Sequence, residues 1–164
     1  MKLNITKIAN ALLYMLDSKV TQLNDKKVAI LLFLIDYNHL ENSGDKIFDE
    51  VYIKNNRNPE PKTLTSIFHS IVNNEDLDDE DEKLYIIQEL LDHLDIEILT
   101  KQQHTELKFV KIQEEFDDEL FTKEEFKTIH KIVSQYKNQT PRKMANICFS
   151  IDKVRQTAKG EVII

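Results

Sequence analysis

The chain has little glycine, a single cysteine and no tryptophan: its 164 residues include two Gly, one Cys and three Pro. Two glycines cannot build a glycine-rich phosphate-binding loop, and they disfavour collagen and turn-dense β-sandwiches. One cysteine excludes an intramolecular disulfide and a cysteine-based zinc cluster, which fits a reducing compartment. The longest apolar run, residues 28–35, is eight residues long, against about 20 for a membrane-spanning helix. We therefore expect a cytoplasmic protein without a membrane segment.

The composition is that of a folded globular protein. Hydrophobic residues make up 41% of the chain and charged residues 31%, which separates it from disordered and membrane proteins. The length is that of one ordinary domain, and no stretch has the composition of an interdomain linker. We predict a single domain that spans residues 1–164.

The net charge of −7 is concentrated in one segment. Residues 75–82, with the sequence EDLDDEDE, hold seven acids in eight positions, so the rest of the chain is neutral. A neutral body does not attract phosphate backbones, which disfavours nucleic-acid binding. The run lacks the ligand spacing and central glycine of an EF-hand. We predict an acidic loop at 74–83 that is either a solvated connection or a contact for a basic partner.

The apolar periodicity predicts a mainly α fold: one compact domain of about six helices with a small two- or three-stranded β-element. Thr122 and Glu125 have the spacing of a capping box, which marks one helix start. The helices are predicted at about 5–18, 25–40, 62–73, 84–99 and 123–137, with shorter helical pieces between Thr140 and Gly160. Strands are predicted at 47–53 and 106–112, and a polar loop at 54–61.

No catalytic or metal-binding pattern is present. The five histidines never form HxxxH or HExxH, and the sequence contains no GxSxG or Walker motif. Cys148 is the one available thiol, and it lies between two apolar residues with no basic neighbour to lower its pKa. We predict a buried core role for Cys148. We expect a protein that is not an enzyme and that has no catalytic residues, metal or cofactor.

Residues 140–159 offer a different function. The segment TPRKMANICFSIDKVRQTAK contains two short helical pieces, and the second carries Lys153, Arg155 and Lys159. A helix-turn-helix places basic side chains of its second helix toward phosphates and base edges. The usual glycine is missing from the turn. The alternative function is therefore a small DNA-binding regulator that uses residues 140–159.

Two stretches resemble a known family. Residues 27–61 place Lys27, the pair His39-Leu40, Gly44 and Pro59 where the Panacea-domain family, the SocA-like antitoxins, has a Lys-led apolar helix, a His-Leu pair, a Gly and a proline turn. Residues 121–164 follow the closing order of that family and end in GEVII. The chain is similar to this family over both stretches, with Cys148-Phe149 where members have a hydroxyl residue and a His.

The resemblance implies a non-enzymatic protein that binds another protein. Members act as antitoxins that neutralise a cognate toxin, and SocA itself acts as a proteolytic adaptor, so the implied partner is a toxin-like or protease-related protein. A basic partner would be attracted by the acidic loop, mainly through faster association. The hypothetical partner-binding residues are Asn58, Pro59, Glu60, Pro61, Ile147, Phe149, Ser150 and Asp152.

Overall fold

A computed structural model describes residues 3–164 and confirms a mainly α fold. Within these residues it has seven α-helices and two antiparallel two-stranded sheets. The helices are α1 (Ile5–Asp17), α2 (Asp25–Ser43), α3 (Lys62–Val72), α4 (Glu82–His93), α5 (Lys123–Tyr136), α6 (Pro141–Ser150) and α7 (Asp152–Gln156). The strands are β1 (Tyr52–Asn55), β2 (Asn58–Pro61), β3 (Leu94–Thr100) and β4 (Thr105–Lys111).

Helix α2 forms the centre of the fold. Seven of the eight residues of its apolar run are buried, and the helix packs against α3, α5, α6, β2 and β4. Asn24 caps its start, since its side-chain oxygen accepts a hydrogen bond from the Lys27 amide at 2.9 Å. Gly44 ends it in the left-handed region at φ +88°, where a residue without Cβ is favoured. An all-apolar helix in the middle of the core was predicted from the sequence.

The segment 47–53 is not the strand that the sequence predicts. Ile47 and Phe48 are buried in irregular backbone because the Asp36 carboxylate accepts hydrogen bonds from both of their amides. The Glu50 carboxylate accepts one from Val51 in the same way. Buried backbone donors must find acceptors, and here buried carboxylates supply them instead of a neighbouring strand. The strand β1 therefore begins only at Tyr52.

The predicted loop 54–61 is a β-hairpin. Strand β1 pairs with β2 in register Tyr52 to Pro61 and Lys54 to Pro59. The Tyr52 and Lys54 amides point away from β2, since they donate to Ile164 and Glu161 of the C-terminal tail. The prolines opposite them therefore face the outer edge of β2, where a missing N–H is tolerated. The tail thus lines the other edge of β1, with one bridge from Ile53 to Val162.

The predicted helix 84–99 is too long. Helix α4 ends at His93, and Leu94–Thr100 forms β3, which pairs with β4 along its whole length. Residues Leu94, Ile96 and Ile98 alternate with polar ones, and β-branched side chains favour a strand. The predicted strand 106–112 is confirmed as β4 within one residue at each end.

The predicted capping box of α5 is confirmed, and a second side-chain cap begins α4 at Glu82, inside the predicted loop 74–83. Residues 75–81 form an irregular connection, and the Asp81 side chain caps α4 by accepting from the Lys83 amide at 2.9 Å. The capping box of α5 is complete: Thr122 accepts from the Glu125 amide, and the Glu125 carboxylate accepts from the Thr122 amide. Among residues 3–164, no helix is both long and apolar enough to cross a bilayer.

Candidate binding groove

A groove with a volume of about 840 Å³ lies on one side of the fold. Four elements form it: the first turns of α2, strand β2, helix α3 and the start of α6. Thr105 at the beginning of β4 closes one end. The groove therefore lies where the hairpin β1–β2, the central helix and the C-terminal helices meet.

The walls of the groove are apolar. Ala29 and Ile30 come from α2, Phe68 and Val72 from α3, and Ala145 from α6. Phe68 is held in place by the Phe109 ring of β4, whose centroid lies 5.6 Å away. Small and apolar side chains at these positions leave a surface that gains free energy when a partner side chain removes it from water.

The rim of the groove is charged. Asp25 and Glu60 already accept hydrogen bonds, from the Leu107 amide at 3.0 Å and from the Asn55 side chain at 2.9 Å. Lys26 and Arg142 lie exposed beside them and form no ion pair with any residue that the structure describes. An apolar floor inside a polar rim with available cations is the usual anatomy of a surface that binds another protein.

Three of the eight residues predicted for partner binding line the groove: Asn58, Pro59 and Glu60. Asn58 is exposed, Glu60 is half-buried and Pro59 is buried. Pro61 is also buried and takes the N-cap position of α3 without lining the groove. The predicted loop 54–61 therefore contributes one wall of the groove, as strand β2.

The other four predicted residues lie beyond the groove, along α6 and α7. Phe149 is half-buried next to the hairpin, with the Arg57 guanidinium 4.3 Å and the Lys54 ammonium 5.6 Å from its ring centroid. Arg142, Ala145 and Phe149 have the spacing i, i+3, i+7, so they share one face of α6. Phe149 thus extends the groove surface toward the hairpin tip.

The last three predicted residues do not extend the groove surface: Ile147, Ser150 and Asp152. Ile147 is half-buried, and the exposed Ser150 hydroxyl donates to the Ile147 carbonyl within the helix. Asp152 is exposed and pairs with Arg155 one turn along α7. The structure therefore does not bring these three residues to the groove.

The walls formed by α2 and α3 were missed at the sequence level. Ala29 and Phe68 belong to ordinary apolar stripes of their helices, and His69 follows Phe68 on the exposed side. Nothing in the local pattern distinguishes a wall residue from a core residue. Only the tertiary arrangement, which sets α3 apart from α6 across β2, places the half-buried Ala29 and the buried Phe68 beside the groove.

The residues that carry the family resemblance hold α2 in place. The buried Lys27 ammonium donates to the carbonyls of Thr21 and Lys137, at 2.5 and 2.8 Å, and so ties α2 to the end of α5. His39 is buried, and its Nδ1 lies 2.8 Å from the Asp45 carbonyl oxygen. Neither side chain lines the groove.

Burial shifts the pKa values of Asp36 and Cys148 well above their ordinary ranges. Burial raises the pKa of the Asp36 carboxyl to about 6, although hydrogen bonds from Tyr52, Ile47 and Phe48 oppose the shift. Burial raises the pKa of the Cys148 thiol to about 12. Cys148 has no exposed surface, which confirms its core role. Asp36 uses both carboxylate oxygens to hold β1 and the preceding segment against α2.

The segment 140–159 contains two helices but lacks the shape of a helix-turn-helix. Only Ile151 separates α6 from α7, and α7 is five residues long. Five residues make about one and a half turns, which is too short to lie along a major groove. Arg155 is paired with Asp152 and donates to the Ser150 carbonyl, so it is engaged within the segment.

Comparison with known families gives one match. A family model described as "Antitoxin SocA-like, Panacea domain" matches residues 30–150, nearly three quarters of the chain. The matched range includes β2, α3, most of α2 and all of α6. No curated protein and no solved structure matches the chain significantly.

Proposed function

Because the chain belongs to the SocA-like antitoxin family with a Panacea domain, we propose that it binds a partner toxin and neutralises it without catalysing a reaction. The partner contacts the groove between α2, β2, α3 and α6. The observation that carries this proposal is the groove itself, since most of its surface comes from residues inside the matched family region.

The chemistry of the groove favours a protein partner. Its volume of about 840 Å³ is at the upper end of the range of about 300–1,000 Å³ for ligand sites, and it is open enough to receive several side chains. The floor suits an apolar anchor, and Lys26 and Arg142 suit a flanking carboxylate. We therefore expect an apolar side chain followed by an acidic one at the centre of the contact.

Neutralisation follows from binding in a one-to-one complex. When an apolar side chain of the partner fills the groove, the hairpin β1–β2 and Phe149 cover the partner surface around that side chain. Delivery of the toxin to a protease, as an adaptor would perform it, begins with the same binding step. The two outcomes differ in whether toxin levels fall, so a comparison in cells with and without the protease separates them.

A growth assay tests the proposal. Proteins encoded by the genes beside this one are screened for toxicity, and a toxic one is expressed together with wild type or one of two variants. Ala145→Trp fills the groove from α6, whereas Asn146→Trp adds the same side chain at the next position, which is exposed and lies outside the groove. We expect wild type and Asn146→Trp to restore growth, and Ala145→Trp to fail.

The ratio of the two proteins tests the absence of catalysis. A binding antitoxin restores growth only when its amount matches or exceeds that of the toxin. In cells that lack the protease, rescue at a ratio far below one would show turnover and contradict the proposal. Rescue by Ala145→Trp as complete as that by wild type would remove the groove from the mechanism.

A further inference from the structure

Strand β3 has an open outer edge. The Lys101 amide donates to the His104 carbonyl at the hairpin turn. From there along the ladder, hydrogen-bonded residue pairs alternate with pairs that are not hydrogen-bonded. The Leu107 amide accordingly points away from β3 and donates to Asp25. Its partner in register, Ile98, therefore directs its own N–H and C=O away from β4.

No residue between 3 and 164 pairs with this edge. Two outward donors have partners within the chain: the Leu94 amide donates to the Leu90 carbonyl at the end of α4, and the Ile96 amide donates to the neighbouring Asp95 carboxylate at 2.9 Å. The opposite edge of the sheet is covered, since β4 bridges to Asn24 and donates to Asp25 of α2. An unpaired edge with free backbone groups is a template for another strand.

Apolar side chains flank the open edge. Ile98 is 46% exposed, and the preceding helix α4 exposes Leu91 at 43% and Tyr85 at 61%. Leu90 is the one fully buried residue of α4 in the structure. The outer surface of α4 and β3 therefore presents apolar groups that the rest of the described chain does not cover.

The charge around this edge is strongly negative. Residues 75–100 contain eleven Asp and Glu and one Lys, a net charge of −10, whereas the whole chain carries −7. Asp95 and Glu97 of β3 are both exposed. A second copy of the chain would bring the same charge to the same edge and be repelled, whereas a cationic segment would be attracted.

We propose that the open edge of β3 binds an extended segment of a partner protein, rich in Lys or Arg and alternating with apolar residues, as a third strand of the β3–β4 sheet. The backbone of β3 supplies the hydrogen bonds, and Ile98 supplies an apolar contact. The negative charge of residues 75–100 favours a positively charged partner segment. Residues 94–98 do not line the groove, so this surface is independent of the proposed function.

A pair of peptides tests strand addition directly. The first is a fluorescent seven-residue peptide of alternating Lys and Val, and the second has the same sequence with alternate backbone nitrogens methylated. Both carry the same charge, but the methylated peptide cannot complete a ladder. We expect the first to bind and to slow hydrogen exchange at Ile98, and the second to bind at least tenfold more weakly.

Two variants of the protein give a matched test. Ile98→Pro removes the outward N–H without breaking a hydrogen bond of the ladder to β4, which does not use it. Ile98→Thr retains that N–H and the β-branched shape. We expect Ile98→Pro to lose peptide binding at least tenfold and Ile98→Thr to lose less than threefold, with far-UV circular dichroism checking that both variants fold.

Three results would overturn the inference. The first is equal binding of the methylated peptide, which would reduce the contact to charge. The second is concentration-dependent dimerisation that Ile98→Pro abolishes, which would make the occupant a second copy. The third is no binding of the unmodified peptide at low salt. The peptide pair decides the matter even if Ile98→Pro does not fold.

Discussion

Replacement of Asp36 by Asn is expected to remove a pH dependence from the stability of the fold. Asp36 is fully buried, and burial raises its pKa from 3.8 to about 6. One pKa unit corresponds to about 1.4 kcal/mol, so ionising this carboxyl is about 3 kcal/mol less favourable in the folded chain than in the unfolded chain. The folded state therefore holds the proton more tightly.

The sign of the effect follows from linkage. The contribution of Asp36 is fully present below the unfolded-state pKa of 3.8 and is lost as the pH rises through about 6. An asparagine side chain at this position would imitate the protonated acid. Its oxygen can accept from the Ile47 and Phe48 amides, and its NH₂ can donate to the Tyr52 oxygen while that hydroxyl donates to the Leu32 carbonyl.

Urea denaturation at pH 4, 5, 6 and 7, followed by far-UV circular dichroism, measures the difference. We expect the free energy of unfolding of Asp36→Asn, measured relative to that of wild type, to rise by about 2 kcal/mol from pH 4 to pH 7. Asp79→Asn, at an exposed position of the acidic loop, controls for the loss of one charge and should show no such trend. Parallel curves for wild type and Asp36→Asn would refute the burial argument.

Three further predictions concern caps and the thiol. Glu50→Ala should destabilise the fold by about 2 kcal/mol, because this buried carboxylate accepts hydrogen bonds from the Thr63 and Leu64 amides at the start of α3. Pro61 at the N-cap offers no side-chain cap in its place. An unchanged urea midpoint would contradict this prediction. Thr122→Ala should cost about 1 kcal/mol by removing half of the capping box, and Thr128→Ala within the same helix is the control. Cys148 should react with a thiol reagent at least a hundredfold more slowly in the folded protein than in urea, because it is buried and its thiol pKa is raised to about 12; equal rates would show that it is accessible.

Helices with one clear apolar stripe could be predicted from the sequence because their burial follows a single period. The end of α4 could not. Leu91, Leu94 and Ile98 fit a helical repeat, yet Leu94 and Ile98 also fit the two-residue repeat of a strand. The choice depends on pairing between β3 and β4, which a local pattern does not contain.

The two prolines of β2 are the reason that the hairpin β1–β2 was not predicted from the sequence. Two prolines in four residues predict a loop, unless their nitrogens face the outer edge of a sheet, as those of Pro59 and Pro61 do. The edge that accepts them exists because the C-terminal tail covers the opposite side of β1. Contacts between residues about a hundred positions apart therefore decide the local structure.

The binding groove was only half predictable for the same reason. The resemblance to the family directed attention to residues 58–61 and to α6, and the structure places Asn58, Pro59 and Glu60 in the groove wall. The α3 side, including Phe68 and His69, comes from a helix whose sequence signals only burial. Whether this face of α3 borders a groove depends on the distance between α3 and α6.

The most direct test is a calorimetric titration of the purified protein with the toxic protein that it neutralises in the growth assay. The account predicts saturation at one to one, an affinity reduced at least tenfold by Ala145→Trp, and no change by Asn146→Trp. Binding to Ala145→Trp with the affinity of wild type would contradict the assignment of the groove, and no binding to wild type would contradict the antitoxin function.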